Sequence, residues 1–165
     1  MAAGKTYEPI ATNTLTSAAS SVTFSSISGS YTDLIIVCSA KGTDSQSVRM
    51  QFNSDTGTNY SSTIVSATTG DGTVNSTRFN TVDDIRIGYY QNGLSTTDFL
   101  PCIIQIQNYS NSTTYKTALS RSAQQSVLAV GLWKSTSAIT AVKLYPAAGN
   151  FTTGSTFTLY GIASA

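Results

Sequence analysis

Side chains along most of this chain alternate between apolar and polar, and a period of two commits a segment to β-structure. Val48, Met50 and Phe52 share one face of the run from Ser47 to Asn53, with Arg49 and Gln51 on the other. Ile85, Ile87 and Tyr89 repeat the pattern after Asp84, as do Cys102, Ile104 and Ile106 against Gln105 and Gln107. The closing run from Ser155 to Ala163 sets Phe157 and Leu159 against Thr158 and Tyr160. The pattern predicts that Val48, Met50, Phe52, Ile85, Ile87, Cys102, Ile104, Ile106, Phe157 and Leu159 are buried. Leu34 to Cys38 differs, because its apolar residues are continuous, which suits a strand covered on both faces.

Weaker strands are expected from Ser21 to Phe24, Tyr60 to Ser66, Tyr115 to Ser120, Val127 to Trp133 and Ile139 to Tyr145. Turn clusters separate them, among them Asn53 to Gly57, Gly70-Asp71-Gly72 and Ala148-Gly149-Asn150. Asn92-Gly93, between two apolar runs, is the sharpest hairpin signal. Only Ala123 to Ala129 leaves room for a short helix. The 165 residues fit one domain. Residues 1–20 read as an N-terminal arm with a first short strand, polar and without pattern from Ala2 to Glu8, and residues 21–165 as one all-β domain, an antiparallel β-sandwich or barrel, which the resemblance given below narrows to a jelly-roll-like β-sandwich. About eight to ten strands are expected, with almost no helix.

Composition narrows the chemistry. Charged residues are 10% of the chain, against about a quarter in ordinary domains. Close to a third is serine or threonine. A net charge of +1 argues against nucleic acid or an anionic membrane as partner. Histidine is absent, which removes the commonest general base and metal ligand. No Ser-x-x-Lys pairing in a suitable setting occurs, so the hydroxyls read as surface of the strands. Asp83-Asp84 is the only adjacent acidic pair. As strand-edge charges these residues discourage sheet aggregation; as a hydrolytic pair they would need a distant partner such as Asp98 or Glu8. Asn53 to Asn59 resembles a calcium loop but lacks the terminal glutamate, and it reads as a hairpin tip. No catalytic residue, metal or cofactor is expected.

Two cysteines, Cys38 and Cys102, make neither a disulfide framework nor a zinc site. Each lies in an apolar run, where a thiol packs as a small hydrophobe, although a bridge between paired central strands stays open. The N-terminus has no apolar core of signal-peptide length, and no run reaches the length of a membrane span, so synthesis in a cytoplasm is expected. Tyr89, Tyr90, Tyr115 and Trp133 offer either a platform for a sugar or peptide, or aromatic packing in a core or subunit interface.

Several strings carry a resemblance. Gly29 to Val37, with Ser30-Tyr31-Thr32-Asp33-Leu34 at its centre, resembles the opening strand of small all-β virion proteins of tailed bacteriophages. Arg49 to Ser61 resembles their next strand and hairpin, and Gly149 to Ile162 is similar to their closing strand. The resemblance implies a jelly roll, usually trimeric, with no catalysis or cofactor, used in head decoration proteins and in tail-fibre modules. A chain that opens at Met1 with a short arm and one domain favours the first use. The reading is a capsid decoration or cement protein, a homotrimer resident in the virion, bound to the major capsid protein outside a phage head. Tyr89, Tyr90 and Trp133 are its candidate interface anchors. The alternative is a tail-fibre or baseplate module that binds a host receptor or glycan.

Overall fold

The computed structural model describes residues 6–67, 73–87, 93–122 and 126–163, and nearly all of its regular structure is β. Twelve strands form two sheets, more than the eight to ten expected. They are β1 (Tyr7–Thr14), β2 (Val22–Phe24), β3 (Asp33–Ala40), β4 (Val48–Phe52), β5 (Tyr60–Ala67), β6 (Val74–Val82), β7 (Ile85–Arg86), β8 (Leu100–Gln107), β9 (Lys116–Ser122), β10 (Val127–Trp133), β11 (Val142–Pro146) and β12 (Thr156–Ile162). The large sheet has the order β1-β12-β3-β8-β9-β10-β5-β6, and the small one β2-β11-β4-β7. Every pairing is antiparallel.

Eight of these strands make a jelly roll. β1-β12-β3-β8 faces β2-β11-β4-β7, and the chain passes from one sheet to the other as two Greek keys do. The remaining four are two antiparallel pairs, β5 with β6 and β9 with β10, which dock beyond β8 and widen one sheet to eight strands.

The alternating residues form the layer between the sheets. Val48, Met50, Phe52, Ile85, Ile87, Cys102, Ile104, Ile106, Phe157 and Leu159 are all buried, none more than 2% exposed. They join Leu34, Ile36, Val142, Leu144 and Phe151 in one continuous core. β7 lies across β5 and β10, and Gly131 on β10 permits this close approach. A Cβ there would sit 2.2 Å from Ile85 Cγ2.

Several expectations are corrected. The segment assigned to an arm contains β1, so Tyr7 and Glu8 belong to a paired strand, while residues 1–5 lie outside the described residues. β1 and β6 are the two edges of the large sheet, and neither carries an apolar alternation because little covers them. β1 also holds Pro9 and a register shift between Pro9 and Ala11, features that edge strands tolerate. Val127 to Trp133 is the strand expected there, β10, so the short helix offered for Ala123 to Ala129 does not extend over Val127 to Ala129; residues 123–125 lie outside the described residues, as does Gly70-Asp71-Gly72. Gly93 does not close a hairpin, since β7 and β8 belong to different sheets; its partner Asn92 lies outside the described residues. Gly93 has φ +54° and packs so tightly on the backbone of Gln46 that no Cβ fits. Asn53 to Asn59 is likewise a crossing between sheets, from β4 to β5.

Ile104 is fully buried at the centre of the core. Ile104→Ala is expected to lower the unfolding free energy by about 2–5 kcal/mol, read from urea denaturation. An unchanged midpoint would show that the inner face has been misassigned.

Candidate functional site

Asn53 and Asp55 anchor the crossing from β4 to β5. Asn53 (φ +52°) accepts from the backbone of Thr140 and Ala141 and donates to the carbonyl of Ala138. The Asp55 carboxylate accepts from the Trp133 indole N–H at 2.7 Å, from Gly57 N at 2.8 Å and from the Asn59 amide at 3.0 Å. These donors use the oxygens that a calcium ion would need, and the segment is a structural corner. Beneath it, Tyr60 stacks on Trp133 with ring centres 6.2 Å apart, and Phe52 packs 5.5 Å from Trp133. The Tyr60 hydroxyl accepts from Phe52 N and donates to the carbonyls of Phe52 and Asp55.

Trp133 is therefore a core residue, 2% exposed, and not an interface anchor. Its alternation on β10 turns it inward with Ala129 and Gly131. Tyr89 and Tyr90 lie outside the described residues. Tyr115 is 57% exposed, so no aromatic platform joins Tyr115 to Trp133.

Asp84 is also corrected. It is not a strand-edge charge but fully buried, where Arg49 Nη1 lies 2.8 Å from Oδ2 and the Tyr145 hydroxyl donates to the same oxygen at 3.0 Å. The Asp83 carbonyl accepts from the Gln51 amide. Burial first, and then the charge of Asp84, push the Tyr145 hydroxyl well above its ordinary range. This network ties the β6–β7 turn to the outer side of the small sheet, whose rows on β4, β7 and β11 carry half-buried Arg49, Arg86, Lys143 and Tyr145 and the buried Gln51. Lys116 is fully buried as well. Its ammonium donates to the carbonyls of Thr114 and Thr136, and burial lowers its pKa. Among the described residues no three of His, Cys, Asp or Glu converge as a metal site.

The outer side of the large sheet is different in kind. Two neighbouring rows cross it from β3 to β5. One runs Ile35, Gln105, Leu119, Val130, Thr63; the other runs Val37, Ile103, Arg121, Leu128, Val65. Val37, Val65, Leu119, Leu128 and Val130 are each between 39% and 48% exposed. Arg121 is the only charge in the two rows. A groove of about 280 Å³ lies on this face, with Tyr7 at one side and Gln105 and Arg121 among the aliphatic residues. Contiguous apolar surface of this kind marks an interaction site on a protein.

This face is the candidate site, and the sequence analysis assigned none of its members. The signal was present in the runs Ile35-Ile36-Val37, Ile103-Ile104 and Leu128-Ala129-Val130, where apolar residues fill both phases of a two-residue period. Leu34 to Cys38 was expected to be covered on both faces. In the single chain Leu34, Ile36 and Cys38 are buried on one face and Ile35 on the other, and only Val37 departs from the expectation at 40% exposed.

No family model matches the chain, and no curated protein matches it. Among solved structures, the chain is similar to an exo-inulinase from Aspergillus awamori at 13% identity and a TM-score of 0.43. The match covers 94% of this chain and 29% of that one. An alginate lyase in complex with an alginate trisaccharide matches at 8% identity and a TM-score of 0.29, covering 92% of this chain and 80% of the lyase. The chain thus spans less than a third of the inulinase's length. No helix among the described residues is long and apolar enough to cross a membrane.

The corner makes a pH prediction with two opposite signs. Burial raises the Asp55 carboxyl, but the hydrogen bonds from Trp133, Gly57 and Asn59 outweigh it and hold the group below its usual range. Its stabilisation is complete above the unfolded pKa of about 3.9 and is lost as pH falls through the folded value. Burial pushes the Tyr60 hydroxyl up to about 12. That contribution is complete below about pH 10, the unfolded value, and is lost as pH rises towards the folded one. Asp55→Ala, which strands the Trp133 indole, is expected to cost about 1–3 kcal/mol at pH 7 and to flatten the acid limb of the stability curve. Tyr60→Phe is expected to flatten the alkaline limb, and urea titrations across pH check both.

Proposed function

We propose that this protein is a non-enzymatic structural component of a phage virion, a decoration or cement protein that associates as a homotrimer and binds the major capsid protein on the outside of the head. One observation carries the reading. β3, β8 and β10 contain apolar runs that suit burial on both sides, yet on their outer side Val37, Leu128 and Val130 are 40–48% exposed and Ile103 is half-buried in the single chain. Such strands are completed by a partner, and a second copy of the same chain is the occupant we assign. With Arg121 alone among the charges of the two rows, copies repeated about an axis bring few like charges together, and closed symmetry lets each make the same contact. The polar outer side of the small sheet is then left to solvent. The resemblance of Gly29 to Val37, Arg49 to Ser61 and Gly149 to Ile162 to phage virion proteins supplies the particle.

Light scattering is expected to give about three times the 17.3 kDa chain mass, and labelled protein is expected to decorate phage heads in electron micrographs. Leu128→Glu and Val130→Glu, which place charge on the open face, are expected to yield folded monomers that attach at least tenfold more weakly. A wild-type monomer that ignores capsids and binds host-surface glycan would replace this reading with a tail-fibre or baseplate module.

A further inference from the structure

The chain has two cysteines, 64 positions apart, and the register places them directly opposite each other. Cys38 on β3 pairs with Cys102 on β8, between the pairs Ile36 with Ile104 and Ala40 with Leu100. Both thiols are free, and both side chains point into the core, 3% and 1% exposed. Cys38 Sγ lies 3.5 Å from the carbonyl oxygen of Cys102. We infer that Cys38 and Cys102 are a modification site, a thiol pair that closes into a reversible disulfide across the central strands β3 and β8 when the folded protein meets a peroxide.

Backbone spacing supports the bond. Opposed residues of antiparallel strands have Cα atoms about 4.5–5.5 Å apart, inside the roughly 4.4–6.8 Å that a disulfide spans. Their Cβ atoms, about 4.5–5.5 Å apart, must close by about 1 Å to reach the usual disulfide spacing. The bridge is therefore strained, and strained bridges are the reducible kind. The pair acts as a staple that opens and closes.

Access and chemistry fit a small oxidant. Cys102 contributes to the wall of a groove of about 250 Å³ with Pro101, Ile103, Arg121 and Ser122, but its thiol points inward, so a peroxide reaches it when the strands part locally. One thiolate attacks a peroxide oxygen, the O–O bond breaks and hydroxide leaves, giving a sulfenic acid. The facing thiolate then attacks that sulfur, the S–O bond breaks and a second hydroxide takes up a proton. Two thiols and one hydrogen peroxide become one disulfide and two waters. The contact with Cys38, together with burial, pushes the Cys102 thiol well above its ordinary range, so the thiolate is scarce at neutral pH and closure is slow there. Once closed, the loop holds β4 to β7 and restricts the unfolded chain. A reducing cytoplasm leaves the staple open, and an oxidising exterior closes it. The inference stands on the register alone and is independent of the virion reading.

The test treats folded wild-type protein with hydrogen peroxide at several pH values, quenches, denatures, counts thiols and measures intact mass. Both thiols are expected to disappear together, with a mass lower by two hydrogens, a single chain on a non-reducing gel and full recovery with dithiothreitol. The rate is expected to rise about tenfold per pH unit from 7 to 9, as the thiolate fraction does. A proteolytic peptide joining Cys38 to Cys102 identifies the bond without any variant. Cys38→Ala and Cys102→Ala, where they fold, are expected to gain oxygen instead of losing hydrogen. Gain of oxygen by the wild type without a bridge would overturn the inference. So would chains linked to one another, or thiols that survive until the protein is unfolded.

Discussion

The two sheets are unequal in width, and much of the structure follows from that. A four-stranded sheet covers the jelly-roll half of an eight-stranded one, so the added strands need cover from elsewhere. β7 provides part of it by lying across β5 and β10, which the missing side chain at Gly131 permits. Ile64, Val127 and Ala129 then form a small second cluster with Phe79, and Arg86 lies over the Phe79 ring at 3.6 Å. The edges β1 and β6 have least to cover them, and their sequences are correspondingly polar.

The corner from β4 to β5 makes the widening possible. There the chain leaves the small sheet and joins the far part of the large one, so it must reverse course without losing its backbone hydrogen bonds. Asn53 and Asp55 satisfy the loop with side-chain atoms, while Phe52, Tyr60 and Trp133 fill the space beneath. A buried indole N–H needs an acceptor, and Asp55 is that acceptor. Asp84 is likewise buried, with one carboxylate oxygen held by Arg49 and the Tyr145 hydroxyl inside the protein.

The two outer faces divide the labour. Half-buried arginine and lysine cover the small sheet, with Gln51 and Asp84 buried among them. Valine, leucine and isoleucine cover the middle of the large sheet, where only Arg121 is charged. For a chain with so few charged residues, the placement of the apolar ones matters more than their number.

The sequence by itself determined the strands that face the core. Alternation at Val48, Met50 and Phe52, or at Cys102, Ile104 and Ile106, reports burial directly, because the side chains of a strand point to opposite sides and a slip of one residue would expose them all. It determined the β class, the near absence of helix and the jelly-roll expectation. It did not determine β1 and β6, whose polar edges carry no period, nor that Asn53 to Asn59 and Gly93 cross between sheets, because a turn residue sets a local φ and not the strand that follows. Trp133 read equally as anchor or core, and only its inward phase on β10 with Asp55 beside it decided. Continuous runs such as Ile35-Ile36-Val37 stated that both faces of a strand are apolar. Which face lies under the small sheet and which lies open is a property of how the sheets stack, and long-range packing alone decided it. The opposition of Cys38 and Cys102 has the same origin, since a register between strands 64 positions apart is fixed by tertiary contacts and not by any local pattern.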